Sequence, residues 1–160
     1  MLPYGEIVNR HALTYDLRPD VVMCIIIQES RGNPYAQRFE KGIASQLAPR
    51  KREELSGWQP KANTNDPSLD TEKNQRSCSW GPMQCLGETV RWCAKYRGPF
   101  LGAISEPELG VEIGCKILSF YLKRANGDYR AALKGYNGTW KYADEVLKRA
   151  SDGEHKEWFH

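Results

Sequence analysis

Apolar residues along most of the chain recur at three- and four-residue intervals, the pattern of helices laid against a common core. Residues 4–15 place Ile7, Val8, Ala12 and Leu13 on one helical face. Pro19, in a good first-turn position, opens a second segment to Arg31, with Asp20 suited to the helix dipole and Gly32-Asn33-Pro34 as a stop. The middle of that segment, Val21 to Ile27, is unbroken and rich in β-branched residues. Period alone fits a buried strand as well as a buried helix there; the proline start and the Gly-Asn-Pro end favour helix. Further helices are expected over 87–97, 107–125, 128–133 and 141–150. In the long one Leu109, Ile113, Ile117 and Phe120 share a face, and Gly110 and Gly114 would admit another helix at close range.

Residues 40–79 break this rhythm. They are polar, carry Arg50-Lys51-Arg52 and an Asn-Thr-Asn-Asp-Pro-Ser run, and read as an excursion from the core with one short helix near 50–56. The expected fold class is mainly α, one domain over 1–160 with a long polar loop excursion at 40–79.

Composition narrows the function classes. At 160 residues with 40% hydrophobic and 27% charged positions, the chain suits a single globular domain. Its longest apolar run is far shorter than the ~20 residues a membrane span requires. A net charge of +3, without a basic tail or domain, makes nucleic acid a poor partner. Five cysteines with no Cys-x-x-Cys pair, and three scattered histidines, argue against a disulfide framework and a zinc site. Buried reduced thiols are the expectation. Residues 1–6 lack a charged region followed by an apolar stretch, so no secretory signal is expected there.

Three short segments bear chemistry. Gln28-Glu29-Ser30 sits at the C-terminal end of the apolar helix. There the negative helix end and apolar neighbours both disfavour the ionised carboxyl, which suits a proton donor near neutral pH. An ordinary solvated Glu at a fraying end is the plainer alternative. Ser79-Trp80-Gly81-Pro82-Met83-Gln84 is either a turn entering a helix or a cleft wall carrying Met83 and the Gln84 amide. Tyr136-Asn137-Gly138 is either a simple turn or a hydroxyl and an amide that orient a sugar.

In this order the three resemble the soluble lytic transglycosylase family, whose catalytic domain is lysozyme-like. The likeness extends over most of the chain: Asn33-Pro34-x-Ala36 follows the Glu-Ser pair, and Pro107-Glu-Leu-Gly-Val-Glu-Ile-Gly-Cys and Gly127-Asp-Tyr-Arg-Ala-Ala-Leu stand in the matching later places. Arg38-Phe39-Glu40 and Ser79-Trp80-Gly81 resemble phage-encoded members. Pro82, Gly135 and Thr139 depart from the family's usual residues. The resemblance implies cleavage of the β-1,4 bond between N-acetylmuramic acid and N-acetylglucosamine in peptidoglycan, with no metal or cofactor. Glu29 would be the single acid and base, Ser30 would orient it, and Met83, Gln84, Tyr136 and Asn137 would line the sugar cleft. The setting it suggests is a monomeric endolysin held in the host cytoplasm before it reaches the cell wall, acting on glycan strands without membrane insertion; a tail-associated enzyme that opens the wall during entry and a domain of a larger protein are the alternatives.

Three rivals stand beside this reading. A lysozyme would need a second carboxylate to activate water, for which Glu40, Asp70 and Glu72 are available. A non-catalytic wall-binding or virion module could use Trp58, Trp80, Trp140 and Tyr142 to stack on sugars. A Cys/His amidase would need an activated thiol beside a histidine, and no pair in the sequence suggests one.

Overall fold

The apolar run Val21–Ile26 is helical and wholly excluded from solvent, at the centre of the molecule. In the computed structural model, which describes residues 4–57 and 67–159, this helix is α2 (Pro19–Ser30). Arg18 is extended and Pro19 fixes the first turn, so the chain enters the helix abruptly. It leaves through Arg31 in the left-handed region, whose N–H returns to the Ile27 carbonyl. A helix apolar on every side must be surrounded. Against it pack α1 (Tyr4–Thr14), α8 (Trp140–Asp152) and a 3₁₀ turn at Glu154–Trp158.

α6 (Pro107–Arg124) is the second axis of the core. Pro107 opens it and the Glu106 carboxylate accepts the Leu109 N–H at 2.8 Å, so its start is doubly marked. Gly110 and Gly114 do face a close neighbour, but it is not a helix. A Cβ on Gly110 would lie 2.5 Å from the Ile104 carbonyl oxygen and 2.7 Å from Pro82 Cδ, and one on Gly114 would fall on the Met83 sulfur. The glycines therefore admit the turn at 81–83 and the 3₁₀ turn Leu101–Ser105. α7 (Tyr129–Asn137) begins where Asp128 accepts the N–H groups of Arg130 and Ala131, and it extends four residues past the expected end to close on Gly138.

The expected helix over 87–97 is shorter: α5 spans Gly87–Trp92. Beyond it Lys95 is left-handed, and the Tyr96 and Gly98 carbonyls turn inward to accept from Arg91 Nη1 at 3.0 and 2.7 Å. A buried guanidinium thus collects carbonyls that a continued helix would have aimed along its axis.

Over its described residues, 40–57 and 67–79, the polar interval is not mainly loop. These residues form α3 (Lys41–Leu47), a 3₁₀ turn at Arg52–Glu54, α4 (Leu69–Arg76) and the start of the middle strand of a short sheet. That sheet, absent from the sequence expectation, has β1 (Gln37–Phe39), β2 (Cys78–Trp80) and β3 (Cys85–Leu86) in antiparallel order. Arg38 pairs with Ser79, and Trp80 with Cys85. The segment 79–84 is consequently a hairpin tip, not a helix entrance. Leu47 and Leu55 are buried in a small apolar cluster with Ile43 and Leu69. Beside it Glu72, Arg76 and Arg91 are buried charges, and Glu72 accepts from both arginines. No helix among the described residues is long and apolar enough to cross a membrane.

Candidate active site

α2, α7 and the small sheet converge on a cleft of about 290 Å³. Its lining includes Glu29 from the last turn of α2, Tyr136 and Asn137 from the last turn of α7, and Gln84 from the hairpin tip. β1 contributes Arg38, followed by Glu40, and Ser79 comes from β2.

Burial pushes the Glu29 carboxyl above its ordinary value, with the Tyr142 hydroxyl, the Arg38 charge and the Asn137 amide pulling it partly back. Its titrating neighbours are held neutral. Burial raises the Tyr136 and Tyr142 hydroxyls well above the usual phenol range, and the nearby Glu29 charge adds to the effect. The Tyr142 hydroxyl has no partner within hydrogen-bond geometry among the described residues. Cys85, beside Tyr136 at 3.6 Å, is pushed up to about 12 by burial.

The three sequence segments come together, but their side chains divide the work differently from the expectation. The Ser30 hydroxyl does not bond Glu29. It donates to the Pro82 carbonyl at 2.8 Å, is within 3.2 Å of the Ile26 carbonyl, and accepts the Gly32 N–H at 3.1 Å. Met83 does not line the cleft; its side chain is fully buried against Gly114, and its carbonyl accepts the Tyr136 hydroxyl at 2.8 Å. Two consecutive carbonyls of the hairpin tip are therefore held from opposite sides, by α2 and by α7. Gln84 lines the cleft with its amide nitrogen donating to the Ala36 and Gly81 carbonyls at 2.8 and 3.0 Å. That reach requires Gln84 at φ +46 and Gly81 at φ +74. At Gly81 a side chain would strike the Ile104 carbonyl.

Of the alternative carboxylates, Glu40 lines the cleft. Glu72 is locked between two arginines and Asp70 is exposed on the first turn of α4. Trp80 is tied by its indole N–H to the Gln75 carbonyl at 2.8 Å, and Trp140 is half exposed with Arg130 over its face at 4.6 Å. Trp58 lies outside the described residues. Tyr142, weighed only as a stacking platform, is instead a buried neighbour of Glu29. Its signal was its place, three residues after Thr139, whose hydroxyl accepts the Tyr142 N–H at 3.2 Å and starts α8. All five cysteines are free, and burial raises Cys24 to about 12 and Cys93 to about 11, the opposite of an activated thiolate.

A buried carboxyl of raised proton affinity at the end of an apolar helix, facing a polar groove, is equipped for proton transfer to and from a bound sugar. No curated protein and no solved structure matches the chain. The family model of the transglycosylase SLT domain matches residues 6–159, from α1 through the final 3₁₀ turn. The chain belongs to that family, and its activity is in general terms that of a lytic transglycosylase acting on peptidoglycan.

Proposed function

We propose that the protein cleaves the β-1,4 bond between N-acetylmuramic acid and N-acetylglucosamine, closes a 1,6-anhydro ring on the muramic acid, and does so with Glu29 as its one acid and base. The supporting observation is the environment of Glu29: a buried carboxyl with raised proton affinity, lining the cleft beside Asn137 and Tyr136. Glu29 enters protonated and gives its proton to the bridging oxygen. The C1–O bond breaks, the N-acetylglucosamine leaves as an alcohol, and C1 of the muramic acid acquires oxocarbenium character. The carboxylate so formed takes the proton of the C6 hydroxyl, whose oxygen bonds to C1 and restores the acid. Asn137 donates toward the carboxylate and the sugar, while Tyr136 and Ser30 hold the hairpin tip that forms one wall. Atoms balance without water, metal or cofactor.

Glu29→Gln should abolish clearing of peptidoglycan in a gel while leaving the fold intact by circular dichroism. A variant that still clears would overturn the assignment of Glu29.

A water-using lysozyme is the second reading, favoured by one observation. Glu40 lines the same cleft, with its Oε1 2.6 Å from Arg38 Nε and 3.4 Å from Ser79 Oγ. Mass spectrometry of the released muropeptides separates the two: anhydro ends support the transglycosylase, reducing ends the lysozyme.

The setting we infer is that of a phage endolysin, a monomer that accumulates in the host cytoplasm and reaches the wall when the membrane is breached. Support comes from the likeness of Arg38-Phe39-Glu40 and Ser79-Trp80-Gly81 to phage-encoded members and from five free thiols, which suit a reducing compartment. Expression in a bacterium should be harmless alone and lytic with a membrane-permeabilising protein; lysis without it argues against this route.

A further inference from the structure

We propose that Arg38, held by Glu40 at the β1–β2 edge, is a positioning residue that supplies the counter-charge for the carboxylate Glu29 becomes when it gives up its proton. The inference rests on the reading of Glu29 as proton donor and extends it to a residue that touches neither the donor nor the leaving oxygen.

The geometry begins in the sheet. Arg38 is the middle residue of β1 and pairs across the ladder with Ser79. Its Nε donates to Glu40 Oε1 at 2.6 Å, and the Ser79 hydroxyl reaches the same oxygen at 3.4 Å. A side chain that is two-thirds exposed is thereby given a fixed direction, with Arg38, Glu40, Ser79 and Glu29 all lining one cleft. Arginine suits this place because its planar fork can be held at Nε while the delocalised charge still faces the groove.

The surroundings of Glu29 explain why the charge matters. α8 offers Tyr142, α7 offers Tyr136 and Asn137, and β3 offers Cys85; the three titratable groups among these are kept neutral by burial. The charged residues of α8 nearest in sequence register are turned elsewhere: Arg149 Nε donates to Gln28 Oε1 at 2.7 Å, and Glu145 accepts from Gln28 Nε2 at 3.0 Å. Lys141 pairs with Glu145 as well. Among the described residues, Arg38 is the cation whose charge acts on the Glu29 carboxyl. Proton donation creates a negative charge in a site that burial makes hostile to it, so an opposite charge already in place lowers the cost of the step. Glu40 tempers that charge and fixes its distance.

The test is the pH profile of kcat/KM for the full chain on purified peptidoglycan, whose basic limb reports the proton on Glu29. Arg38→Gln should move that limb to higher pH, lower kcat by about tenfold, and leave KM within about twofold, since Arg38 acts on the charge developed in the reaction. Arg38→Lys keeps the charge and should return the limb toward that of the parent protein. Glu40→Gln strips the tempering charge and should move it to lower pH. A fourth measurement needs no variant: salt screens an exposed cation, so raising it from about 0.01 M to about 1 M should move the parent's limb upward.

An active Arg38→Gln protein whose limb coincides with the parent's overturns the proposal. So does a limb displaced equally by Gln and Lys, or one that salt does not move. Failure of the underlying reading looks different: clearing retained by Glu29→Gln sinks the role of Glu29 whatever Arg38 does.

Discussion

Replacing Glu72 by Gln should destabilise the protein far more than removal of an exposed charge. Glu72 is fully excluded from solvent and accepts three hydrogen bonds, from Arg76 Nε at 2.7 Å and from Arg91 Nε and Nη2 at 2.8 and 2.9 Å. Gln preserves the volume, forfeits the charge, and turns an NH₂ toward a guanidinium. Breaking one side of a buried ion pair costs about 3–5 kcal/mol, because the remaining charge is stranded away from water. Two features place this case near the lower end. Arg76 keeps Glu88 at 2.9 Å and the Ser56 carbonyl at 2.7 Å, and Arg91 keeps the Tyr96 and Gly98 carbonyls. A loss of about 3 kcal/mol corresponds to a fall in Tm of roughly 6–12 °C for a domain of this size.

Thermal and urea unfolding followed by circular dichroism at neutral pH measure the loss directly. Because the cluster joins α4 to α5, limited proteolysis should cut the variant first within 40–79. Arg130→Gln is the control: its pair with Asp144 is half exposed, so Tm should not change measurably. A Glu72→Gln loss under about 1 kcal/mol, the range of exposed pairs, would refute the argument that this cluster closes the segment onto the core.

Three further outcomes follow from the cleft. Glu29→Gln should be more stable than the parent at neutral pH, because the folded state holds the Glu29 proton more tightly than the unfolded chain does. Stability from that proton is lost as pH rises from the ordinary carboxylate range, near about 4.3, through the raised value; the Tm difference should widen across that window and then level. A calorimetric difference constant with pH contradicts this sign. Gly114→Ala should cost about 1–3 kcal/mol in urea unfolding, since the new methyl falls on the Met83 sulfur and lies 2.8 Å from Cε. Unchanged stability would mean that the hairpin tip yields freely. Tyr136→Phe leaves the Met83 carbonyl without its donor and should cost about 1–3 kcal/mol while lowering kcat on peptidoglycan; equal stability in urea denies the bond its role.

Helices were legible wherever punctuation and period agreed. Pro19 and Asp20 with the turn after Ser30 bound α2, and Glu106-Pro107 bounds α6, so even the ambiguous apolar run resolves. The sheet was not legible because its strands are two or three residues long, and β1 is exposed at all three positions. No alternation develops over so few residues, and the pairing is imposed by the hairpin tip and by Arg38 opposite Ser79. The interval 40–79 misled for a related reason. Its described helices close on two leucines and on the buried charges Glu72 and Arg76, which polarity alone reads as solvated, while the Arg50-Lys51-Arg52 run is indeed exposed.

At the site, position was readable and direction was not. The sequence order brings Ser30, Met83 and Tyr136 to one place, yet two of the three spend their hydroxyls on backbone. Ser30 and Tyr136 grip neighbouring carbonyls, Pro82 and Met83, from the helices that carry Glu29 and Asn137. This arrangement couples the acid to the amide through a rigid tip only two peptides wide. A slip of either hydroxyl would move one helix end relative to the other and open the distance a bound sugar must span. Residues chosen for such a task need a hydroxyl at the right helix turn, not contact with substrate. That is why motifs far apart in sequence can be read as one site while the part each residue plays within it appears only in the fold.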